Sequence, residues 1–546
     1  YVESFLAELS PWNTQAQPEE SGESSAGGET EAPSLQESAS PTDSGAPDPK
    51  NPSGGCASSA GVAWLWLLLP AVAVLLFRRR RGRSRAGRWW VQSVSLLLLP
   101  CMIILPACTK APAEQPTASQ TPEVSAGEST NTPEEPEEPG EGIMLSEEVT
   151  DGNLRIYPVP DSYRRSKNAR ITVNGHSAPL VYGGSVYDPL ANYDSCSFAA
   201  GVDEAVTLEI TVAADIEQFE ISCQSAEPRA EASGNTLTIV TEGPHDMIVK
   251  INDLREIVIC ADPPETDVPA SEGSGIYNVA AQYGADTSGQ ELATAAFYKA
   301  IRDAAAAGGG TVYVPNGVYL ISNLILQSNV SLYLEAGAYL MCTEDTSVLS
   351  ESERKTTEHG HTVDYPISWM FTTASGSENI RIYGRGTIDG RGALMKQQHG
   401  WLINLIRTNK TSDFTLEGVT LRDSSHWGCI IYGSTQVSIR GTKHLNLVKN
   451  LNEDDGIDIC SSRNVEVLDT LVISQDDPYS VKSYAVGETT DVRFEGGLTW
   501  TRCAAAKVGY GHVTNVSNIV FRNITAHRCS SASISRSIRA RPIRPM

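Results

Sequence analysis

The chain has 546 residues, room for two or three domains, and 40% of them are apolar, an ordinary share for globular protein. A formal net charge of −24 argues against nucleic acid as a natural partner. Its 11 cysteines follow no CxxC spacing, which argues against a zinc site or a dense disulfide framework; no metal and no cofactor is expected. Cys196 and Cys223 are a candidate bridge outside the cytoplasm, with lone buried thiols the simpler expectation.

Residues 1–55 are rich in Ser, Glu, Pro, Gly and Ala and lack apolar periodicity, so they cannot bury enough surface to offset chain entropy and are expected to be disordered. Tyr1 at the start, rather than Met, suggests a fragment or a partial gene reading. Segment 56–88 holds an uncharged run, residues 60–77, of membrane-spanning length, followed at once by Arg78–Arg81. With Gly54, Gly55 and Cys56 it resembles the MYXO-CTERM sorting tails of bacterial surface proteins, although such tails end a protein. Segment 89–108 has basic residues in front, an apolar core and Leu105-Pro106-Ala107-Cys108. It resembles a lipoprotein signal peptide with Cys108 as the lipidated residue. Two ordinary transmembrane helices are the plainer alternative. Residues 109–141 read as a Pro/Glu/Ser/Thr linker. The expected product starts near the second apolar stretch, is exported to a bacterial cell envelope, and is anchored to membrane by its N-terminal part.

From 142 to 270 the pattern alternates: ARITVNG, AVTLEITV, NTLTIVTE, DMIVKIND and REIVICAD are short period-2 strands between Gly, Asp, Asn and Pro turns. A small β-sandwich in a supporting or sugar-contacting role is expected. From Gly275 a phrase recurs: Asn329-Val-Ser-Leu, Asn379-Ile-Arg-Ile, Asp413-Phe-Thr-Leu, Gln436-Val-Ser-Ile, Asn464-Val-Glu-Val, Asp491-Val-Arg-Phe and Asn518-Ile-Val-Phe. The last five starts are 23, 28, 27 and 27 residues apart. A strand too short to bury its own face, repeated at that period, predicts a solenoid of parallel strands stacked roughly 4.8 Å apart. Ala293–Ala307 is the exception, an amphipathic helix predicted to cap the first coil.

Asp455-Gly456-Ile457-Asp458 is followed by Gln475-Asp476-Asp477, with Asp455 and Asp476 21 residues apart, about one coil. Stacked carboxylates suit an inverting glycosidase, whose acid and base stand about 6.5–9.5 Å apart with water between them. Crowding raises the pKa of at least one of them, keeping a proton available near neutral pH. Taken singly, Asp-Gly and Asp-Asp-Pro are also ordinary turn chemistry.

The phrases YNVAAQYGADTSGQELATAAFYKAIRDAAAAGGGTVYVPNGVYLIS, NVSLYLEAGAYL, NIRIYGRGTIDGRG and FTLEGVTLRDSSHWG, in that order, are similar to the polygalacturonase family, glycoside hydrolase family 28. The resemblance covers residues 275–529, and a β-sandwich in front resembles the dextranase-type family 49. It implies an all-β chain with a right-handed parallel β-helix, and hydrolysis of pectic polygalacturonate. It assigns Asp476 as general acid and Asp455 and Asp477 as the pair that positions and deprotonates water. The family's Gly-His-Gly after the paired Asp is echoed by Gly511-His512-Val513, yet Lys507-Val508-Gly509 fits the following strand and places Ala504 where the His belongs. His512 is then a loop residue near the cleft with a possible substrate contact. Lys482 and Lys507 are candidates to pair with a uronate carboxylate, or else solvated lysines on a strand edge. The family's Arg-Ile-Lys signature is absent. After Cys529 the repeat is expected to stop, leaving 530–546 as an off-pattern tail and the solenoid incomplete. Alternatives are a Ca²⁺-dependent β-helix polysaccharide lyase, a dextranase-like glucan hydrolase, and a non-catalytic glycan-binding surface protein. The expected partner is a polysaccharide, and the chain is expected to be a monomer.

Overall fold

A computed structural model describes residues 142–183, 193–358, 361–446, 453–484, 486–512 and 514–535. The stretches expected to be disordered, membrane-directed or lipidated, Cys108 included, lie outside the described residues. Among the described residues no helix is long and apolar enough to cross a membrane.

The first part folds as its alternation dictates. In Ala205–Val212 the side chains of Val206, Leu208, Ile210 and Val212 are buried while those between them are not. The five alternating runs become Ala169–Val173, Ala205–Val212, Thr236–Glu242, Met247–Ile251 and Ile257–Asp262. They sort into two sheets whose inner faces share one core, with Leu208 and Ile239 from one sheet meeting Val249 and Ile259 from the other. That is a β-sandwich.

Beyond it the chain winds into a parallel β-helix. The recurring phrase is one of its three sheets: Val330–Leu334, Glu378–Gly384, Ser412–Glu417, Thr435–Arg440, Arg463–Leu468, Thr489–Glu495 and Val516–Arg522 stack in chain order. The first residue of each phrase adopts a left-handed backbone, with φ between 52° at Asn518 and 65° at Asn329. Asn and Asp tolerate that conformation better than other side chains, which is why the phrase opens on them. The amide of Asn379 donates to Asn329 Oδ1 at 2.9 Å, so the corner residues of neighbouring coils also bond to one another. Inside, Leu416, Ile439, Val467, Phe494 and Phe521 stand in one register, and the last two rings stack at 4.9 Å. The predicted cap is helix α1 (Thr294–Ala306), which buries Phe297, Ala300 and Ile301; Phe297 meets Tyr319 edge-on at 5.6 Å.

The sandwich packs on a second sheet of the β-helix. Leu445, Leu471, Ile473, Leu498 and Trp500 bury against Tyr193, Ile248, Val258 and Cys260. With both faces covered, Lys443–Leu445, Leu471–Ile473 and Leu498–Trp500 are buried at every position rather than at alternate ones. Lys443, 2% exposed, pairs across this junction with Asp262 and lies 3.9 Å from Asp246.

One expectation is corrected, and one pair of alternatives is decided for the simpler. The last coil does not end at Cys529, because Ser531–Ser535, its third strand, pairs in parallel with the strand Ala504–His512. Such pairing needs only an open backbone edge, which the loss of apolar phrasing does not remove. Cys196 and Cys223 do not bridge: all eight described cysteines are free, and these two are buried.

Replacing Phe297 by Ala should remove about 3–5 kcal/mol from unfolding in urea, whereas Lys299→Ala, exposed on the same helix, should change it by less than about 0.5 kcal/mol.

Candidate active site

Four neighbouring strands of the third sheet carry the candidate residues: β1 (Cys429–Tyr432), β2 (Ile457–Cys460), β3 (Tyr479–Ser483) and β4 (Ala504–His512). Cys429 pairs with Ile457, Ile457 with Tyr479, and Ser480 with Lys507. The turns entering these strands stay in step, since Gly428 N–H donates to the Asp455 carbonyl at 2.8 Å and Gly456 N–H to that of Asp477 at 3.0 Å. Counting back from the paired residues, Trp427, Asp455, Asp477 and Ala504 form one rank across four coils. His426, Asp454, Asp476 and Cys503 form the rank before it. Gly456 is required by packing: a Cβ there would collide with Val472 and come 2.6 Å from the Pro478 carbonyl.

Along the strands, Ile431, Ile459, Val481 and Val508 share the inward register. By alternation Asp458, Ser480 and Lys507, and then Cys460 and Lys482, fall on the opposite face. Lys482 is 4% exposed and donates to Asp455 Oδ2 at 2.9 Å and also to Asp458. Its ammonium lies 3.5 Å from the centre of the Trp427 ring. Lys507 pairs with Asp477 Oδ2.

The electrostatics separate the three aspartates. Burial first, then the charges of Asp455 and Asp477, push the Asp476 carboxyl up to about 6. Among the described residues it makes no ion pair. Asp477 is raised too, by burial and then by Asp455, but Lys507 opposes the rise. Burial works against the Lys482 ammonium, yet Asp455 and Asp458 outweigh it and hold its pKa well above the usual lysine value. Burial lifts Asp454 well above the carboxylate range, even though it accepts the backbone N–H of Gln475 at 3.1 Å and of Asp476 at 3.3 Å. Those bonds fix the turn that presents Asp476 and Asp477.

The structure thus brings Asp455, Asp476 and Asp477 onto adjacent coils, with Lys482 and Lys507 among them. Neither lysine is a solvated edge residue; each is engaged by the site's own carboxylates. His512 is not brought to them: it pairs with Ser483, on the order of 20 Å further along the strand than Asp477. Sequence reasoning assigned no role to Asp454, Asp458, Trp427 or Cys503. Asp454 precedes the Asp455-Gly456-Ile457-Asp458 motif and Asp458 closes it, and two further acids in so short a stretch were the available signal. Nothing local marks Trp427 or Cys503, whose placement depends on coil register.

Residues 333–530 match the family described as Glycosyl hydrolases family 28. The protein named "Probable polygalacturonase" from Vitis vinifera is 30% identical over 213 residues, 37% of this chain and 43% of that protein. "Probable rhamnogalacturonase E" from Aspergillus niger is 27% identical over 231 residues, 40% of this chain and 45% of its own length. The chain therefore spans less than half of these relatives. The family 28 exopolygalacturonase of Yersinia enterocolitica superposes with a TM-score of 0.38 at 16% identity, over 72% of this chain and 77% of that one.

A buried acid whose folded pKa exceeds its unfolded one takes up a proton on folding. Wild type therefore loses stability as pH rises through the unfolded value to about 6 at Asp476, and no further above that. Asp476→Asn should accordingly be more stable than wild type by about 1–3 kcal/mol at pH 7.5, with the difference vanishing near pH 4 when urea unfolding is compared across pH.

Proposed function

We propose, for a chain whose residues 333–530 match glycosyl hydrolases family 28, that its third sheet hydrolyses glycosidic bonds of a pectic polysaccharide by inversion. The observation that carries this reading is the unequal pairing of three clustered carboxyls. Asp455 and Asp477 each have an ammonium partner, and Asp476, between them in sequence and charge, is the one poised to hold a proton near pH 6.

Asp476 gives its proton to the departing glycosidic oxygen. Asp455 and Asp477, paired with Lys482 and Lys507, hold water on the other side of the anomeric carbon and accept its proton as it attacks. One bond to oxygen forms as the other breaks, and the proton Asp476 loses is recovered from the water. Because both lysines already pair with carboxylates, their role here is to set the charge of the catalytic pair. Relatives named for polygalacturonate and rhamnogalacturonan hydrolysis make those two polymers the substrates to compare. The apolar runs before residue 109 support delivery to a bacterial cell envelope, where such polymers are met.

Reducing sugar released from polygalacturonate or rhamnogalacturonan should fall about 10²–10⁴-fold in Asp476→Asn, and the alkaline limb of kcat/KM should lie near pH 6. NMR of the first product should show the anomer opposite to that of the bond cut. Unsaturated products that absorb in the ultraviolet and vanish on chelation would replace this mechanism with calcium-dependent elimination.

A further inference from the structure

One group in the rank of Asp476 has no part in that mechanism. Cys503, half-buried on the coil that follows Asp476 and Asp477, has its sulfur within 4.8 Å of both carboxylates. Its backbone is fixed on two sides. Thr501, 2% exposed, accepts from the Cys503 N–H at 2.9 Å and donates to the Asp476 carbonyl at 2.5 Å, while the Cys503 carbonyl accepts the N–H and hydroxyl of Ser530 at 2.9 and 2.8 Å. The turn carrying the thiol is thus tied directly to the turn carrying the acids. A second observation stands apart from this. Asp477 is 1% exposed, its Oδ2 is taken by Lys507, and its Oδ1 has no hydrogen-bond partner. A buried carboxylate oxygen in that condition calls for a donor.

We propose that Cys503 is a positioning residue of the carboxylate pair, its S–H donating into the space between Asp476 and Asp477 and so helping to set which of the two holds the proton. The proposal rests on the hydrolase reading for its consequence, though not for the contact itself. The charged groups acting on the thiol are Asp477 and Asp476, which in turn feel Asp455 and Lys507; Arg502 beside it in sequence is exposed. Burial, then the charges of Asp477 and Asp476, push the thiol up to about 12, so it remains a donor through the whole range in which the acids titrate. A thiol donates weakly, but a donor shared by two carboxylates favours the ionised form of each.

The sign follows. Losing the donor raises both carboxyl pKa values, so both limbs of the kcat/KM–pH profile should move upward. In the full chain, Cys503→Ala should shift each limb by about half a pH unit, and Cys503→Ser, which keeps a donor, should restore the wild-type profile. A Cys503→Ala profile that superimposes on wild type, whatever happens to its Tm, overturns the proposal. A second measurement needs no activity: the rate at which methyl methanethiosulfonate labels Cys503 at pH 8, followed by peptide mass spectrometry. Neutralising a carboxylate in Asp476→Asn or Asp477→Asn should lower the thiol pKa and accelerate labelling about tenfold; an unchanged rate in both variants also overturns it. Failure of the hydrolase reading would appear separately, as wild-type chain that labels as expected yet releases no sugar.

Discussion

The constraint on which everything else depends is the parallel register between coils. Backbone bonds such as Gly456 N–H to the Asp477 carbonyl and Ile457 N–H to the Pro478 carbonyl, at 3.0 and 2.9 Å, place each residue above its counterpart one coil away. A β-helix therefore converts sequence separation into rank. Asp455 and Asp477 become neighbours, and Asp454 reaches the backbone that presents Asp476. A slip of one residue in any coil would carry Lys482 or Lys507 to the inward face, where Val481 and Val508 stand. Charge pairing in the site and apolar packing behind it are enforced by the same hydrogen bonds.

The fold was legible because its unit is short and repeated. Asn329, Asn379 and Asp413 announce a corner that must adopt positive φ, and the alternating residues after them announce a strand. The cap helix was legible because 3.6-residue periodicity appears at Ala293–Ala307 and nowhere near it. The continued strand at Ser531–Ser535 was not, since pairing at an edge is a property of the backbone and leaves no apolar signature. The site was legible to the extent that its residues fall within one motif. Asp455, Asp476 and Asp477 are separated by a single coil, so spacing alone aligns them. Trp427 and Cys503 each come from a different coil, and coil lengths vary too much for counting alone to bring them into rank. The roles of Lys482 and Lys507 hinge on which carboxylate each meets, a matter of side-chain direction that composition does not carry.

The arrangement also shows how a crowded anionic site is kept stable. Five aspartates crowd two adjacent coils, Asp454, Asp455 and Asp458 on one and Asp476 and Asp477 on the next, and leaving them all ionised and buried would be severely unfavourable. Two ammonium groups pair with Asp455, Asp458 and Asp477, while burial pushes the carboxyls of Asp454, Asp458, Asp476 and Asp477 towards their protonated forms. Net charge at the site is thereby kept low without removing any acid that chemistry would use.

The left-handed corner has a consequence for how such a chain can change over evolutionary time. Each corner re-sets the strand that follows it, so residues gained or lost in the loops between corners do not propagate into the next coil; spacings of 23, 28, 27 and 27 residues coexist in one stack. Whole coils are in that sense exchangeable modules, open to duplication or excision. The three coils that supply Asp455, Asp476 and Cys503 are not: each holds part of a single charge arrangement, and only as a block can they be inherited.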